Sequence, residues 1–197
     1  MFTNNGVPGL QATREPWLEK AALGGVLALL LADLAGLRGA PLALLAAAVA
    51  AAHAARWWLW QPLRTLRAPL VWVLQAAYLW LPVHLALRAA AALQWVPPSA
   101  ATHALTVGAI GGLIIGMMTR TARGHTARPL RADRFDVVCY ALVLLAALVR
   151  VLPVLFDAGL TLWAAQASAL LWSAGFGLFA WRYLPVLTRA RLDGKPG

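Results

Sequence analysis

Residues 105–130 read LTVGAIGGLIIGMMTRTARGHTARPL, and this stretch changes abruptly from an apolar, glycine-rich run to a basic segment. The first part is apolar enough to lie in a membrane or a protein core, whereas the second carries several arginines around His125. Such a boundary is typical of a helix that leaves the hydrocarbon and enters the headgroup layer. The stretch therefore predicts a membrane-spanning helix followed by a basic loop.

The composition of the whole chain supports a membrane protein. Of its 197 residues, 61% are apolar and 12% are charged, and the mean hydropathy is +0.70. Soluble domains are about half apolar and about a quarter charged. The first residues, MFTNNGVPGLQATREP, are polar and lack the apolar core of a signal peptide, so we expect the first apolar helix to be retained.

Six apolar segments are long enough to cross about 30 Å of hydrocarbon, which takes about 20 helical residues. They cover residues 17–37, 40–60, 68–92, 98–118, 135–157 and 159–184. None shows the alternating pattern of a transmembrane β-strand. The sequence therefore predicts an all-α, polytopic transmembrane helix bundle of about six spans, forming a single membrane domain over residues 1–197.

The positive charges divide unequally between the two sides of this predicted bundle. If the spans alternate in direction, 14 of the 17 lysines and arginines lie on the side of the two termini. They are Arg14, Lys20, Arg56, Arg64, Arg67, Arg120, Arg123, Arg128, Arg131, Arg134, Arg182, Arg189, Arg191 and Lys195. By the positive-inside rule, we expect a multi-pass protein of a bacterial inner membrane with both termini in the cytoplasm. The basic loops predict contacts with anionic lipid headgroups, and no motif indicates nucleic-acid binding.

Small residues recur every four positions in the fourth predicted span. They are Ala104, Gly108, Gly112 and Gly116. This spacing places them along one face of a helix, where another helix or a flat cofactor can approach closely. The spacing alone favours helix packing, because such stripes are a general packing device.

The basic segment after this span allows two interpretations. Arg120, Arg123 and Arg128 are either a solvated surface under anionic lipid or a site for carboxylate or phosphate groups, such as haem propionates. His125 lies among them, between a glycine and Pro129, and this pattern predicts a fixed turn that presents the imidazole.

Any metal site made by this chain must depend on histidine, because the single cysteine, Cys139, excludes Cys-rich zinc and iron–sulfur sites. The candidates are His53, His84, His103 and His125. His84 and His103 are expected at a similar depth near the outer side, where their rings could face each other. An intramembrane histidine is either functional or bonded to a neighbouring helix. Histidines without an acidic pair favour haem or copper, and no hydrolase or nucleotide-binding motif appears, so enzymatic activity is left open.

One long motif of this chain resembles the signature of a known family. Residues 103–130, HALTVGAIGGLIIGMMTRTARGHTARPL, are similar to the NnrS signature, in which a helix beginning HALTVGA leads into MTR and LGHTGRPL. Weaker similarities are FTNNGVPG at 2–9, HAAR at 53–56 and LRTLRAPLVWVLQAAYLWLP at 63–82. Together they cover most of residues 2–130, and the last two spans resemble the family only in topology and hydropathy.

The resemblance implies an inner-membrane protein that holds haem, copper or both and acts in nitric oxide metabolism or resistance to nitrosative stress. The family's histidines fall at His103 and His125, and Arg120, Arg128 and Pro129 also match. We therefore expect His103 to be the strongest candidate for a metal ligand, followed by His125.

Three positions depart from the family pattern. Gln75 stands where the family is expected to have a histidine, Ala127 replaces the glycine of HTGRP, and His84 matches no family position. With Gln75 in that place, a metal would lack one ligand unless His84, on the same span, substitutes for it. Family members are about twice as long, so we expect this chain to correspond to their C-terminal half. It would then work with a separate N-terminal-half polypeptide or as a homo-oligomer.

Two other functions are compatible with the same sequence. Half of a transporter for a small anion would use the basic side as its mouth and the helix kinks at Pro82 and Pro153 for gating. The spans contain few of the midplane polar groups that such a transporter needs. The third possibility is a structural remnant of a longer protein, in which the histidines only join helices.

Overall fold

The computed structural model describes residues 7–194, and in this range six helices are joined by short loops. The helices are α1 (Pro16–Leu34), α2 (Ala40–Leu59), α3 (Pro69–Ala92), α4 (Pro98–His125), α5 (Arg134–Phe156) and α6 (Thr161–Leu187). Short 3-10 turns at Pro62–Thr65 and Ala158–Leu160 precede α3 and α6. Lys195 and the first part of the FTNNGVPG motif lie outside the described residues.

The predicted all-α polytopic bundle is confirmed. Helices α2 to α6 are each long and apolar enough to cross a membrane. Helix α1 has 19 residues and carries three charged side chains, Glu19, Lys20 and Asp33, near its two ends. No strand occurs within residues 7–194.

The end of one helix differs clearly from the prediction. The other helices begin and end within three residues of the predicted spans, but α4 was expected to end at 118 and continues to His125. His125 is therefore the last helical residue, and the predicted turn follows it at Thr126 and Ala127. Hydropathy marks where a chain leaves the hydrocarbon, whereas a polar helix continues until its backbone hydrogen bonds stop.

Local sequence explains where the helices begin. Pro16, Pro69 and Pro98 are first helical residues, a position where the missing N–H costs no hydrogen bond. Helix α5 begins differently, with Asp133 as its N-cap. The Asp133 carboxylate accepts the N–H of Asp136 at 3.1 Å, and the Asp136 carboxylate accepts the N–H of Asp133 at 3.0 Å. This reciprocal capping box fixes the start of α5.

Each helix packs on the next in chain order, and α4 also contacts α6. Near the arginine-rich side, Tyr140, Val143 and Phe179 belong to the core shared by α3 to α6. Nearer the opposite side, Trp80 of α3 packs with small residues of α4 and α5. A salt bridge between Arg88 and Asp33 joins α3 to α1 on that side.

The glycine stripe of α4 lies against α3. A Cβ added to Gly108 would come within 2.4 Å of the Trp80 ring, and one added to Gly112 within 2.7 Å of the Ala77 Cβ. A Cβ added to Gly116 would come within 2.9 Å of the Leu74 and Val73 side chains of α3. Because α3 fills this face, the stripe has no room for a flat cofactor.

Candidate functional site

The structure does not gather the four histidines at one metal site. His103 and His125 lie 22 positions apart on α4, which corresponds to about 33 Å along a helix axis. Within residues 7–194, no group of three or more His, Cys, Asp or Glu side chains is arranged to hold a metal ion. The two histidines that match the family signature therefore cannot bind one metal together.

His53 is buried in α2 and belongs to a hydrogen-bond network that joins α1, α2 and α3. Its Nδ1 lies 2.7 Å from the Tyr78 hydroxyl, which also accepts a hydrogen bond from Arg56 at 3.2 Å. Arg56 pairs with Glu19 at 2.7 Å and lies 4.8 Å from the centre of the Trp60 ring. The His53 Nε2 is buried and has no hydrogen-bond partner in the part of the chain that the structure describes. Its ring thus contributes to helix packing.

His84 and His103 lie near the opposite side, and each has its own partner. The His84 Nδ1 is 2.7 Å from the carbonyl oxygen of Ala101, to which it donates. The His103 Nε2 accepts a hydrogen bond from Arg150 at 2.6 Å. This acceptor role places the proton of a neutral imidazole on the His103 Nδ1. A metal at the His103 Nε2 would have to displace Arg150.

His125 is the last residue of α4, and its side chain is exposed. Within residues 7–194 the ring makes no hydrogen bond. It lines a groove of about 510 Å³ between α4 and α6, whose walls include Met117, Met118, Phe179 and Leu187. We call this the His125 groove.

The period of α4 explains why these side chains share the groove. Ile114, Met118, Thr121 and His125 follow one another at spacings of four, three and four residues, which places them on one helix face. The helical course of the basic segment is what adds His125 to this face. If a loop began at residue 119, Thr121 and His125 would not share a helix face with Ile114 and Met118.

Arg123 is bound by groups of the chain itself. Its guanidinium contacts Asp136 at 2.6 Å, Tyr183 at 2.9 Å and Asp133 at 3.3 Å. The Tyr183 hydroxyl donates to Asp136 at 2.9 Å, and Arg182 forms a salt bridge with Asp133. This network joins α4, α5 and α6, so the donors of Arg123 are directed at internal carboxylates.

The other two arginines predicted to bind an anion lie at different cavities. Arg120 lines a cavity of about 430 Å³ together with Arg67 and Arg131. Arg128 lines a smaller one of about 290 Å³ together with Arg123 and Arg182. Of the three predicted arginines, Arg123 and Arg128 thus share one cavity, and Arg120 lies at another.

A third cavity, of about 530 Å³, lies between α2, α3 and α4 and is bordered by the N-terminal segment. Its polar lining comes from Arg14, Arg56, Gln75 and Tyr78, and Leu113 and Met117 of α4 add apolar surface. No histidine is among the residues that line it. The position at which the family resemblance predicts a histidine therefore faces a cavity, but here it carries an amide.

A family model described as NnrS protein matches residues 1–191. The chain belongs to the NnrS family. The match includes α5 and α6, for which the sequence motifs indicated only similar topology and hydropathy. A search of the curated proteins and a search of the solved structures found no match.

The turn that ends the NnrS signature shows why the signature has glycine where this chain has Ala127. The N–H of Arg128 donates to the Arg123 carbonyl at 2.9 Å, and the N–H of Ala127 donates to the Gly124 carbonyl at 3.3 Å. These two bonds form a Schellman motif, with Ala127 at a φ of 58°. Glycine adopts this left-handed conformation without strain, whereas alanine does not.

We therefore expect Ala127→Gly to stabilise this NnrS protein by about 1 kcal/mol, the cost of placing a Cβ in the left-handed region. The measurement is the free energy of unfolding in mixed detergent micelles. Ala132→Gly, in the same loop but without a positive φ, is the control and should not stabilise. An equal gain at both positions would contradict the explanation.

Sequence reasoning missed several residues that organise this site. Asp133 and Tyr183 complete the network around Arg123, and Arg150 binds His103. Only the role of Asp133 could have been predicted from the sequence. An aspartate three residues before Asp136, at the start of an apolar run, is a helix-capping pattern. The other two pairings depend on how α4, α5 and α6 pack.

Proposed function

We propose that this NnrS protein is a haem-binding protein of a bacterial inner membrane, acting in the response to nitric oxide, and that His125 would hold the haem iron. One observation carries the proposal. Of the four histidines, only His125 has a ring without a hydrogen bond in residues 7–194, and it lies at an apolar groove of about 510 Å³. Neutral imidazole is a common axial ligand of haem iron, and an apolar groove suits the porphyrin edge.

The residues of the His125 groove match the requirements of haem. His125 offers a nitrogen ligand, and Met117 and Met118 offer thioether sulfurs, which also ligate haem iron and Cu(I). Copper is therefore the alternative guest at the same place. Bound haem would supply an iron atom able to bind nitric oxide, while the chain supplies the ligand and the apolar walls.

The proposal reverses the expected order of the two family histidines. His103 would have to give up its hydrogen bond with Arg150 before its Nε2 could bind a metal. His53 and His84 are each bonded through Nδ1, to Tyr78 and to the Ala101 carbonyl, so a metal could reach only their Nε2 atoms. We assign these three rings to helix packing in this chain.

The charge distribution supports an orientation for the site. The His125 groove reaches the end of α4, on the side that carries 14 of the 17 lysines and arginines. We propose that this side and both termini face the cytoplasm, under anionic headgroups. The groove is open between α4 and α6, and we propose that a separate N-terminal-half polypeptide or a second copy of the chain covers it.

The half-transporter alternative receives less support from the structure. A basic mouth attracts an anion through free guanidinium groups, but Arg56 and Arg123 are each paired with a carboxylate of the chain. Pro82 and Pro153 lie inside α3 and α5, as that alternative expects.

The test is a haemin titration of the purified protein in detergent, followed by absorption spectroscopy and metal analysis. We expect His125→Ala to weaken haem binding about 100-fold, because losing a ligand should cost at least as much as losing an outer-shell partner. His103→Ala is the matched control and should leave the affinity nearly unchanged. Equal affinities of wild type and His125→Ala would refute the assignment.

A further inference from the structure

Three arginines surround the cavity of about 290 Å³ at the arginine-rich ends of α4, α5 and α6. Arg123, Arg128 and Arg182 line it together with Asp133 and Tyr183. Including Asp136, which binds Arg123, the cluster contains three guanidinium groups and two carboxylates. It therefore has an excess of one positive charge.

The two carboxylates are almost fully occupied by other donors, and neither binds the third arginine. One oxygen of Asp133 accepts two backbone N–H groups of α5, and the other accepts Arg123 and Arg182. One oxygen of Asp136 accepts the Tyr183 hydroxyl, and the other accepts Arg123 and the N–H of Asp133. Each carboxylate oxygen has about two acceptor sites, so all except one on Asp136 are taken.

Arg128 is the unbalanced cation of this cluster. Its Nη1 is buried and has no hydrogen-bond partner in the part of the chain that the structure describes. Its backbone is fixed by the hydrogen bond to the Arg123 carbonyl and by the following Pro129. A buried charged donor without a partner is costly, and a bound anion would remove that cost.

We propose that this cavity binds a phosphate group, with Arg128 and Arg182 as its main contacts. Guanidinium groups bind phosphate oxygens bidentately, and a tetrahedral phosphate has enough oxygens to contact two guanidinium groups at once. The cavity lies at the side of the bundle where lipid headgroups are expected. The phosphate is therefore either that of an anionic lipid headgroup or free phosphate from solution.

The experiment uses the full, haem-free chain in lipid nanodiscs, so its result does not depend on the haem proposal. Thermal unfolding midpoints are compared in phosphatidylcholine discs, in the same discs with inorganic phosphate, and in discs containing phosphatidylglycerol without phosphate. Chloride keeps the ionic strength equal. The variants are wild type, Arg128→Gln and Arg134→Gln. The last removes an exposed charge at the first residue of α5 that does not line the cavity.

We expect an anion to raise the midpoint of wild type and of Arg134→Gln by about 5 °C at saturation, and not that of Arg128→Gln. A rise with inorganic phosphate identifies a free anion, and a rise only with phosphatidylglycerol identifies a headgroup. Without either anion, Arg128→Gln should be at least as stable as wild type, because it removes an unpaired buried donor. Failure of this variant to fold, an unresponsive wild type, or equal responses of wild type and Arg128→Gln would overturn the proposal.

Discussion

Asp136→Ala should lower the free energy of unfolding by about 3–5 kcal/mol, the usual effect of removing one partner of a buried ion pair. The Asp136 side chain is 1% exposed and binds Arg123 at 2.6 Å, while its other oxygen accepts the Tyr183 hydroxyl. The substitution leaves a largely buried guanidinium without its main carboxylate. It also removes one half of the capping box with Asp133 at the start of α5.

The measurement is unfolding by dodecyl sulfate in mixed micelles, with two comparison variants. Tyr183→Phe removes two hydrogen bonds and keeps the ion pair, so an intermediate loss of about 1–2 kcal/mol is expected. Arg191→Ala breaks a surface pair with Asp193 and should have no measurable effect. An effect of Asp136→Ala no larger than that of Arg191→Ala would show that the network does not stabilise the bundle.

Gly108→Ala should destabilise the protein by about 3 kcal/mol, at the upper end for overpacking in a core. The added methyl group would lie 2.4 Å from the Trp80 ring, which is itself 9% exposed and packed among α3, α4 and α5. Neither the ring nor the helix backbone can move aside without disturbing that packing.

Gly177→Ala is the matched control for this second prediction. It also lies inside a membrane helix, but nothing approaches its Cβ position within 4 Å. Alanine should be neutral or slightly stabilising there because of its higher helix propensity. The same dodecyl sulfate titration compares the two variants, and equal effects would mean that close contact with α3 does not explain the glycine stripe.

The helices could be predicted from the sequence because membrane thickness sets their length. Apolar runs of about 20 residues located all six. The end of α4 could not be found in this way, because its last two turns lie beyond the apolar run. The helix ends where Ala127 takes a left-handed conformation and a Schellman motif closes the backbone hydrogen bonds. Since that position carries alanine, the usual glycine signal was missing.

The candidate site was only partly predictable. The sequence placed His84 and His103 at the same end of the bundle, but it could not say that Ala101 and Arg150 bind them. These partners depend on the rotation of each helix about its axis, which is decided by packing between helices. His125 was assigned to a turn because the apolar run ends at residue 118, so the groove that it shares with Met118 was not foreseen.

The most direct test of the proposed haem site is chemical rescue at His125. In His125→Gly, loaded with haemin in detergent, the absorption spectrum should differ from that of wild type, and added imidazole should restore it by occupying the place of the missing ring. His103→Gly should give the wild-type spectrum without imidazole. If His125→Gly keeps the wild-type spectrum, or if only His103→Gly loses it, then the haem ligand is not His125 and the assignment of the groove is wrong.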